Sequence, residues 1–265
     1  MLDKSKLKCS LGYIMYRLLR RLLLAALAAG AAAGLSAQYT ETPETTAPGR
    51  FLLEVDALDI SVDKNDDFDY TAIGVGSVLM TTGLTQNLDI QLGAQLFHTH
   101  RLEYDTFTDS DSGLGAVLVR SKWRFFSNEY TTIALLPYLR IPTDSDAPGT
   151  DKMEGGVIVP WTAWLPGGIE FGAQLGVDLG RNEADDGYDV DWMGSAFLHR
   201  ALPAGFGLYA EATTWHTSGG EPSAGSLGAG VTWHTRFGDW DYGIYKGLND
   251  GASDWNYALR YSIGF

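Results

Sequence analysis

The sequence predicts an all-β fold: a transmembrane, antiparallel, up-and-down β-barrel of about twelve strands. Long stretches alternate apolar and polar residues with a period of two, short Gly/Asn/Pro turns alternate with longer and mostly acidic connections, and a leader of export type precedes the alternating part.

Residues 1–37 read as a signal peptide. Lys4, Lys6, Lys8, Arg17, Arg20 and Arg21 form its basic start, Leu22 to Leu35 its apolar run, and Leu35-Ser36-Ala37 its small-residue cleavage site, leaving Gln38 first. The apolar run is shorter than the roughly 20 residues of a spanning helix. Cys9, the chain's one cysteine, precedes that run and cannot be a lipidation site at the cleavage point. The whole chain of 265 residues has 19 basic and 33 acidic side chains, and without residues 1–37 its net charge falls from -14 to -19. Such a charge, with no basic run outside the leader, excludes a nucleic-acid partner. Residues 38–49, polar and Pro-containing, are expected to be a flexible periplasmic lead-in, and 50–265 the barrel.

Trp255, Tyr257, Leu259, Tyr261, Ile263 and Phe265 alternate without exception with Asn256, Ala258, Arg260, Ser262 and Gly264. A strand puts such sets on opposite faces, whereas a helix mixes them. Segments 51–57, 88–96, 169–180, 226–237 and 239–248 obey the same rule, and 113–126, 131–143, 155–164 and 189–200 obey it less cleanly. Tight turns fall at 82–87, 127–129, 165–168, 202–205 and 238–239, where Gly, Asn and Pro supply turn geometry. Six other connections, 63–69, 105–112, 144–151, 182–187, 218–222 and 249–253, alternate with them and lie on the opposite rim. Eleven connections imply twelve strands, with both chain ends on the short-turn side.

Alternation also occurs in soluble sandwiches. Here several strands keep it for longer than the roughly 5–6 residues usual in soluble sheets, and as long as the roughly 9–11 that cross a membrane at a tilt. Aromatic residues near strand ends, Tyr70, Tyr104, Tyr130, Trp161, Trp164, Trp192, Trp240 and Trp255, suit the two interfacial girdles. Closure satisfies every backbone amide, as hydrocarbon demands. The terminal Tyr261-Ser262-Ile263-Gly264-Phe265 resembles the strand that barrel-assembly machinery recognises. Outer-membrane lipid and lipopolysaccharide are the expected surroundings, and Asp63, Asp66, Asp67, Asp105, Asp109, Asp111, Asp185 and Asp186 form an acidic rim that divalent cations could bridge to lipopolysaccharide.

With apolar side chains toward lipid, the lumen is lined by Glu54, Asp56, Asp89, Gln91, Gln95, Arg120, Lys122, Arg124, Arg140, Glu170, Gln174, Asp178, Glu211, His234, Arg236 and Arg260. Arg120, Lys122 and Arg124 form a basic ladder on one strand, and acids opposite would create a transverse field across an open bore. The competing expectation is that these groups pair and close a narrow barrel. No metal or cofactor is expected: His98 and His100 share a strand face and could hold a metal but read rather as an interfacial pair at the strand end, and Asp63-Lys64-Asn65-Asp66-Asp67 lacks the Gly and Glu of a calcium loop, with Phe68 and Gly74 in their places. A lipid-modifying barrel enzyme is the other alternative. Ser195 and Ser262 could pair with His199, His216 or His234, but no motif marks a nucleophile, so no catalytic residue is assigned.

Several phrases, in their order along the chain, resemble one known family. They are Thr82-Gly83-Leu84-Thr85-Gln86-Asn87-Leu88-Asp89-Ile90, Ser112-Gly113-Leu114-Gly115 leading to Lys122-Trp123-Arg124-Phe125, and Leu135-Leu136-Pro137-Tyr138-Leu139-Arg140-Ile141-Pro142-Thr143. Gly155-Gly156, Leu165-Pro166-Gly167-Gly168, Gln174-Leu175-Gly176-Val177 and Gly247-Leu248-Asn249-Asp250 continue the likeness. The sequence is similar in these to the "putative MetA-pathway of phenol degradation" transporters over most of 51–265, departing from them at Ala116, where an acid often stands. The resemblance implies an outer-membrane channel or facilitator for passive diffusion of small solutes, among them aromatic or other hydrophobic compounds, and carries over no catalytic residue.

Overall fold

The computed structural model describes residues 39–64, 69–104, 107–143, 152–182, 187–218 and 222–265. The leader (1–37) and the acidic positions Asp66, Asp67, Asp105, Asp185 and Asp186 lie outside the described residues. Thirteen strands follow in order: β1 (Phe51–Lys64), β2 (Asp69–Thr85), β3 (Leu88–Tyr104), β4 (Phe107–Gly113), β5 (Val117–Ser127), β6 (Thr131–Ile141), β7 (Glu154–Leu165), β8 (Ile169–Asn182), β9 (Gly187–Ala201), β10 (Phe206–Thr217), β11 (Ala224–Thr235), β12 (Gly238–Gly247) and β13 (Trp255–Gly264). Apart from β4 and β5, which both pair with β3, sequential neighbours pair antiparallel, and β1 pairs with β13 from Leu52↔Gly264 to Val62↔Trp255, which closes the sheet.

The barrel has twelve staves because β4 and β5 are two halves of one. Strand β3 pairs with β5 through Leu88–Ala94 and with β4 through His98–Tyr104. The expected acidic loop at 105–112 is thereby corrected: most of it is strand. Pairing there satisfies backbone groups of β3 that would otherwise face hydrocarbon as an open edge.

The two faces of the sheet sort by polarity inside out. Leu175, Leu92, Trp123 and Leu198 are 72%, 56%, 52% and 49% exposed on the outside, whereas Asp178, Asp89 and Glu211 are 0%, 1% and 2% exposed in the bore. An apolar exterior of this extent is stable only against lipid. Tyr130, Trp161, Trp164, Trp192, Trp240 and Trp255 stand outward near strand ends, but Tyr70 is buried in the bore.

The reason for Tyr70 is a switch of face. In β1 the inward residues are Glu54 and Asp56 below a bulge between Asp56 and Leu58, then Asp59 and Ser61 above it. In β2 the inward set changes from Tyr70, Ala72 and Gly74 to Ser77, Leu79 and Thr81, across Gly76, whose φ of 71° favours glycine. In β3 Asp89, Gln91 and Gly93 give way to His98 and His100, so the three adjacent strands switch at one level.

Candidate functional site: an internal strap and the cavity above it

The bore is occupied by the chain's own residues 39–48. The expected mobile lead-in is corrected: this segment enters beside β1 and rises to mid-barrel as an internal strap. Its base is tied by Gly49 N–H donating to Gly83 O (3.1 Å) and by a parallel bridge between Pro48 and Gly83. A side chain at Gly83 would collide with Thr46 O at 2.2 Å, so the wall is glycine where the strap crosses it.

Most strap contacts use backbone groups against polar wall side chains. Thr46 N–H donates to both carboxylate oxygens of Asp89 (2.9 and 3.1 Å). Lys122 Nζ donates to Thr42 O at 2.7 Å and Glu44 O at 3.4 Å. Gln174 acts as a surrogate strand, accepting from Glu41 N–H (2.7 Å) and donating to Tyr39 O (3.0 Å). Glu211 accepts from Tyr39 N–H (3.0 Å), Thr40 N–H (2.6 Å) and the Tyr245 hydroxyl (2.5 Å). Among the described residues the strap's one ion pair is Arg120 Nη1 to Glu41 Oε1 at 2.6 Å, with Nη2 reaching Oε2 at 3.4 Å. Thr40 and Glu41 are 2% and 9% exposed, so water does not compete for these bonds.

The expected lumen residues divide by role. Asp89, Arg120, Lys122, Gln174 and Glu211 hold the strap. Arg140 pairs with Asp178 and with Glu154 (3.1 Å), and Arg260 pairs with Asp56 (2.8 Å) and Glu54 (3.3 Å), each within the wall. Gln91 bonds Thr81 (2.9 Å), Gln95 lies 3.5 Å from His98 Nδ1, and Glu170 meets His199 at 3.5 Å. Arg124 sits at the rim, donating to Gln86 O (2.6 Å) and to Asn87 Oδ1 (3.1 Å). His234 and Arg236 are not luminal contacts: His234 pairs with Asp239 at the turn, and Arg236 lies over the Phe237 ring at 4.4 Å. Strands end there, so inward parity no longer points into the bore.

The basic ladder is therefore a docking rail and not one side of an open transverse field. Other inward residues were not anticipated. Leu136, Tyr138, Ile158 and Met193 form a buried apolar cluster with Leu118 and Trp215 against it. Their side chains follow inward parity, but apolar identity assigned such residues to the lipid face. Inward glycines make room for the largest rings: a Cβ at Gly228 would fall 2.1 Å from the Tyr245 ring, and one at Gly230 2.2 Å from Tyr209.

Above the strap a cavity opens toward the 248–254 connection. Its lining includes Tyr39, Asp59, Met193, Ser195, Trp215 and Asn256. Hydroxyl and amide groups line one side and the Met193–Trp215 surface the other. Among the described residues no group of three or more His, Cys, Asp or Glu could hold a metal. Ser195 Oγ bonds Thr40 Oγ1 at 2.6 Å; of the hydroxyl–imidazole pairs among the described residues, Ser223 with His216 (2.8 Å) is exposed at the rim of the longer connections, and Thr232 with His199 is 3.3 Å apart.

Fold and interior together define an outer-membrane type barrel with a narrowed bore. The chain belongs to the family described as "Putative MetA-pathway of phenol degradation", whose model matches residues 36–265. Among solved structures it is similar to the COG4313 outer membrane channel from Pseudomonas putida F1, with a TM-score of 0.64 and 15% identity over 84% of this chain and 97% of that one. It is also similar to the β domain of the Bordetella autotransporter BrkA (TM-score 0.53, 16% identity, 83% and 100% covered). The transport unit of the autotransporter AIDA-I from Escherichia coli is a third (0.52, 11%, 91% and 97%). No curated protein matches the chain in sequence.

Proposed function

We propose that the protein is an outer-membrane channel through which small solutes diffuse passively, and that the cavity above the strap is the solute's first station. The observation that carries this reading is the mixed lining of that cavity, with Trp215 and Met193 facing hydroxyl and amide groups. A planar apolar body with one or two polar groups suits such a lining better than a sugar does. This agrees with the aromatic or hydrophobic compounds that the family description suggests. Residues 1–37 direct export, the Phe265 strand end is offered to the barrel-assembly machinery, and the apolar exterior meets phospholipid and lipopolysaccharide.

Passage requires the strap to yield, because it fills the bore between β3–β5 and β8–β10. It is held mainly by hydrogen bonds, each modest in net free energy. Proteoliposomes test the reading. Phenols and small aromatic acids should permeate faster than sugars of equal mass, and Trp215→Ala should reduce that preference. Equal rates for both solute classes would remove the assigned role of the cavity, and no permeation in any chain would remove the channel.

A further inference from the structure

Four rings on the lipid side of the barrel form a row along its short-turn rim. Phe206 on β10, Trp233 on β11, Trp240 on β12 and Tyr261 on β13 are successive cross-strand neighbours in register. Arg260 is buried in the bore, so Tyr261 beside it faces outward, and Phe206, Trp233 and Trp240 are exposed on the same face. The rings meet in pairs: Phe206 stacks on Trp233 at 5.6 Å, and Trp240 packs on Tyr261 at 4.9 Å. A groove lined by Trp233, Trp240 and Tyr261 continues to Thr235, Arg236 and Phe237 of the β11–β12 turn.

That turn is held in place. Thr235 Oγ1 donates to Gly238 O (2.7 Å) and accepts from Phe237 N–H (3.1 Å), and the Tyr261 hydroxyl donates to Phe237 O. Gly238 has a φ of 129°, and a Cβ there would stand 2.7 Å from the Tyr261 ring, so glycine lets the turn fold against β13. Phe237 and Arg236 thereby stand at the foot of the groove, with the Arg236 guanidinium 4.4 Å from the centre of the Phe237 ring. A guanidinium lying over a ring directs its N–H donors sideways, in its own plane. Arg236 is the charged member of the lining, and Asp239 across the turn is engaged by His234.

We propose that this groove holds one anionic phospholipid of the periplasmic leaflet, with its phosphodiester on Arg236 and an acyl chain along the Trp233, Trp240 and Tyr261 surface. Barrels of this class carry their short turns on the periplasmic side, which sets the groove at headgroup depth. The guanidinium fork matches two oxygens of a phosphate, the anion that lipid supplies there. The ammonium of a zwitterionic headgroup would compete with Arg236 for those oxygens, so a headgroup without one is favoured. Two-fold pairing of two barrels through the groove would instead set Arg236 beside its counterpart, like charge on like. The inference is independent of what the bore carries, and the channel reading can fail without affecting it.

The test uses the chain purified from the outer membrane in mild detergent, stripped of lipid by exchange, beside Arg236→Gln, Trp240→Ala and Arg200→Gln. Arg200 is exposed at the same rim but outside the groove, and its loss removes an equal charge. The heat-dependent gel shift of folded barrels checks each chain. Native mass spectrometry then counts the phosphatidylglycerol or phosphatidylethanolamine retained from defined mixed micelles. We expect the natural chain to keep one phosphatidylglycerol in preference to phosphatidylethanolamine. Arg236→Gln should weaken phosphatidylglycerol about tenfold, the scale of one charge-assisted interaction, and abolish the preference. Trp240→Ala should weaken both lipids alike, and Arg200→Gln should change little. Should Trp240→Ala not fold, the two arginine variants, both on exposed side chains, carry the test. The proposal is overturned by unchanged retention in Arg236→Gln, by equal losses in Arg236→Gln and Arg200→Gln, by equal retention of the two lipids in the natural chain, or by a dimer that forms through the groove and excludes lipid.

Discussion

Two arginines in the bore make an instructive pair. Arg140 is answered within the wall, by Asp178 on β8 and Glu154 on β7. Arg120 is answered by Glu41, which belongs to the strap and not to the barrel. Both are buried to a similar degree, at 8% and 7% exposure. Arg140 therefore contributes to a barrel that is complete without the strap, whereas Arg120 and Lys122 present unmet donors as soon as the strap leaves. The same residue type is structural on one wall and conditional on the other, and the condition is the occupancy of the bore.

The largest effect should come from removing the conditional partner altogether. Deleting residues 39–48 should raise single-channel conductance several-fold and shift ion preference toward anions, since Glu41 and Glu44 leave the bore while the freed Arg120 and Lys122 balance the freed Asp89 and Glu211. Reversal-potential measurements in a salt gradient check the shift. Next in size is the structural arginine. Asp178→Ala leaves Arg140 short of a partner in a buried site, which typically costs about 3–5 kcal/mol. It should lower the temperature of barrel unfolding without opening the bore. Glu41→Gln should act the other way round: little change in barrel unfolding, but faster proteolysis of the strap, by about tenfold for one charge-assisted bond. A disulfide between Thr40→Cys and Ser195→Cys, whose hydroxyls are 2.6 Å apart, should hold the strap in place and suppress permeation until it is reduced. The smallest effect is expected at the rim: His234→Ala should change stability by no more than about 0.5 kcal/mol, as for other exposed side chains, and leave conductance unaltered.

This contrast also marks how far the sequence could be read. Strand β13 and most of β8 alternate strictly, and Arg260, Gln174 and Asp178, which parity puts on the inward face, are buried. Parity failed at the level of Gly76. There a bulge in β1 and the matching shifts in β2 and β3 turned Asp59 and Tyr70 inward, and one glycine in a strand does not announce which neighbours shift with it. The apolar luminal cluster failed differently: Leu136, Ile158 and Met193 fit either face by chemistry, and only their packing against Tyr138, Leu118 and Trp215 shows them to be internal. The strap was least legible. Residues 39–48 are small, polar and Pro-containing, as in a solvated tail, and their attachment runs through amide and carbonyl groups that every sequence possesses. Glu41 opposite Arg120 was the single side-chain signal. It joins positions 79 apart in sequence that only the closed barrel brings together.

The central claim is that the bore is narrowed by the chain's own residues 39–48 and conducts when they move. Planar-bilayer recordings of the full chain and of the chain lacking those residues, in the same salt, test it most directly. The account predicts a low conductance for the full chain and a several-fold larger, steadier one with greater anion preference for the shortened chain. Identical conductance and selectivity in the two, from barrels equally folded by gel shift, would contradict it.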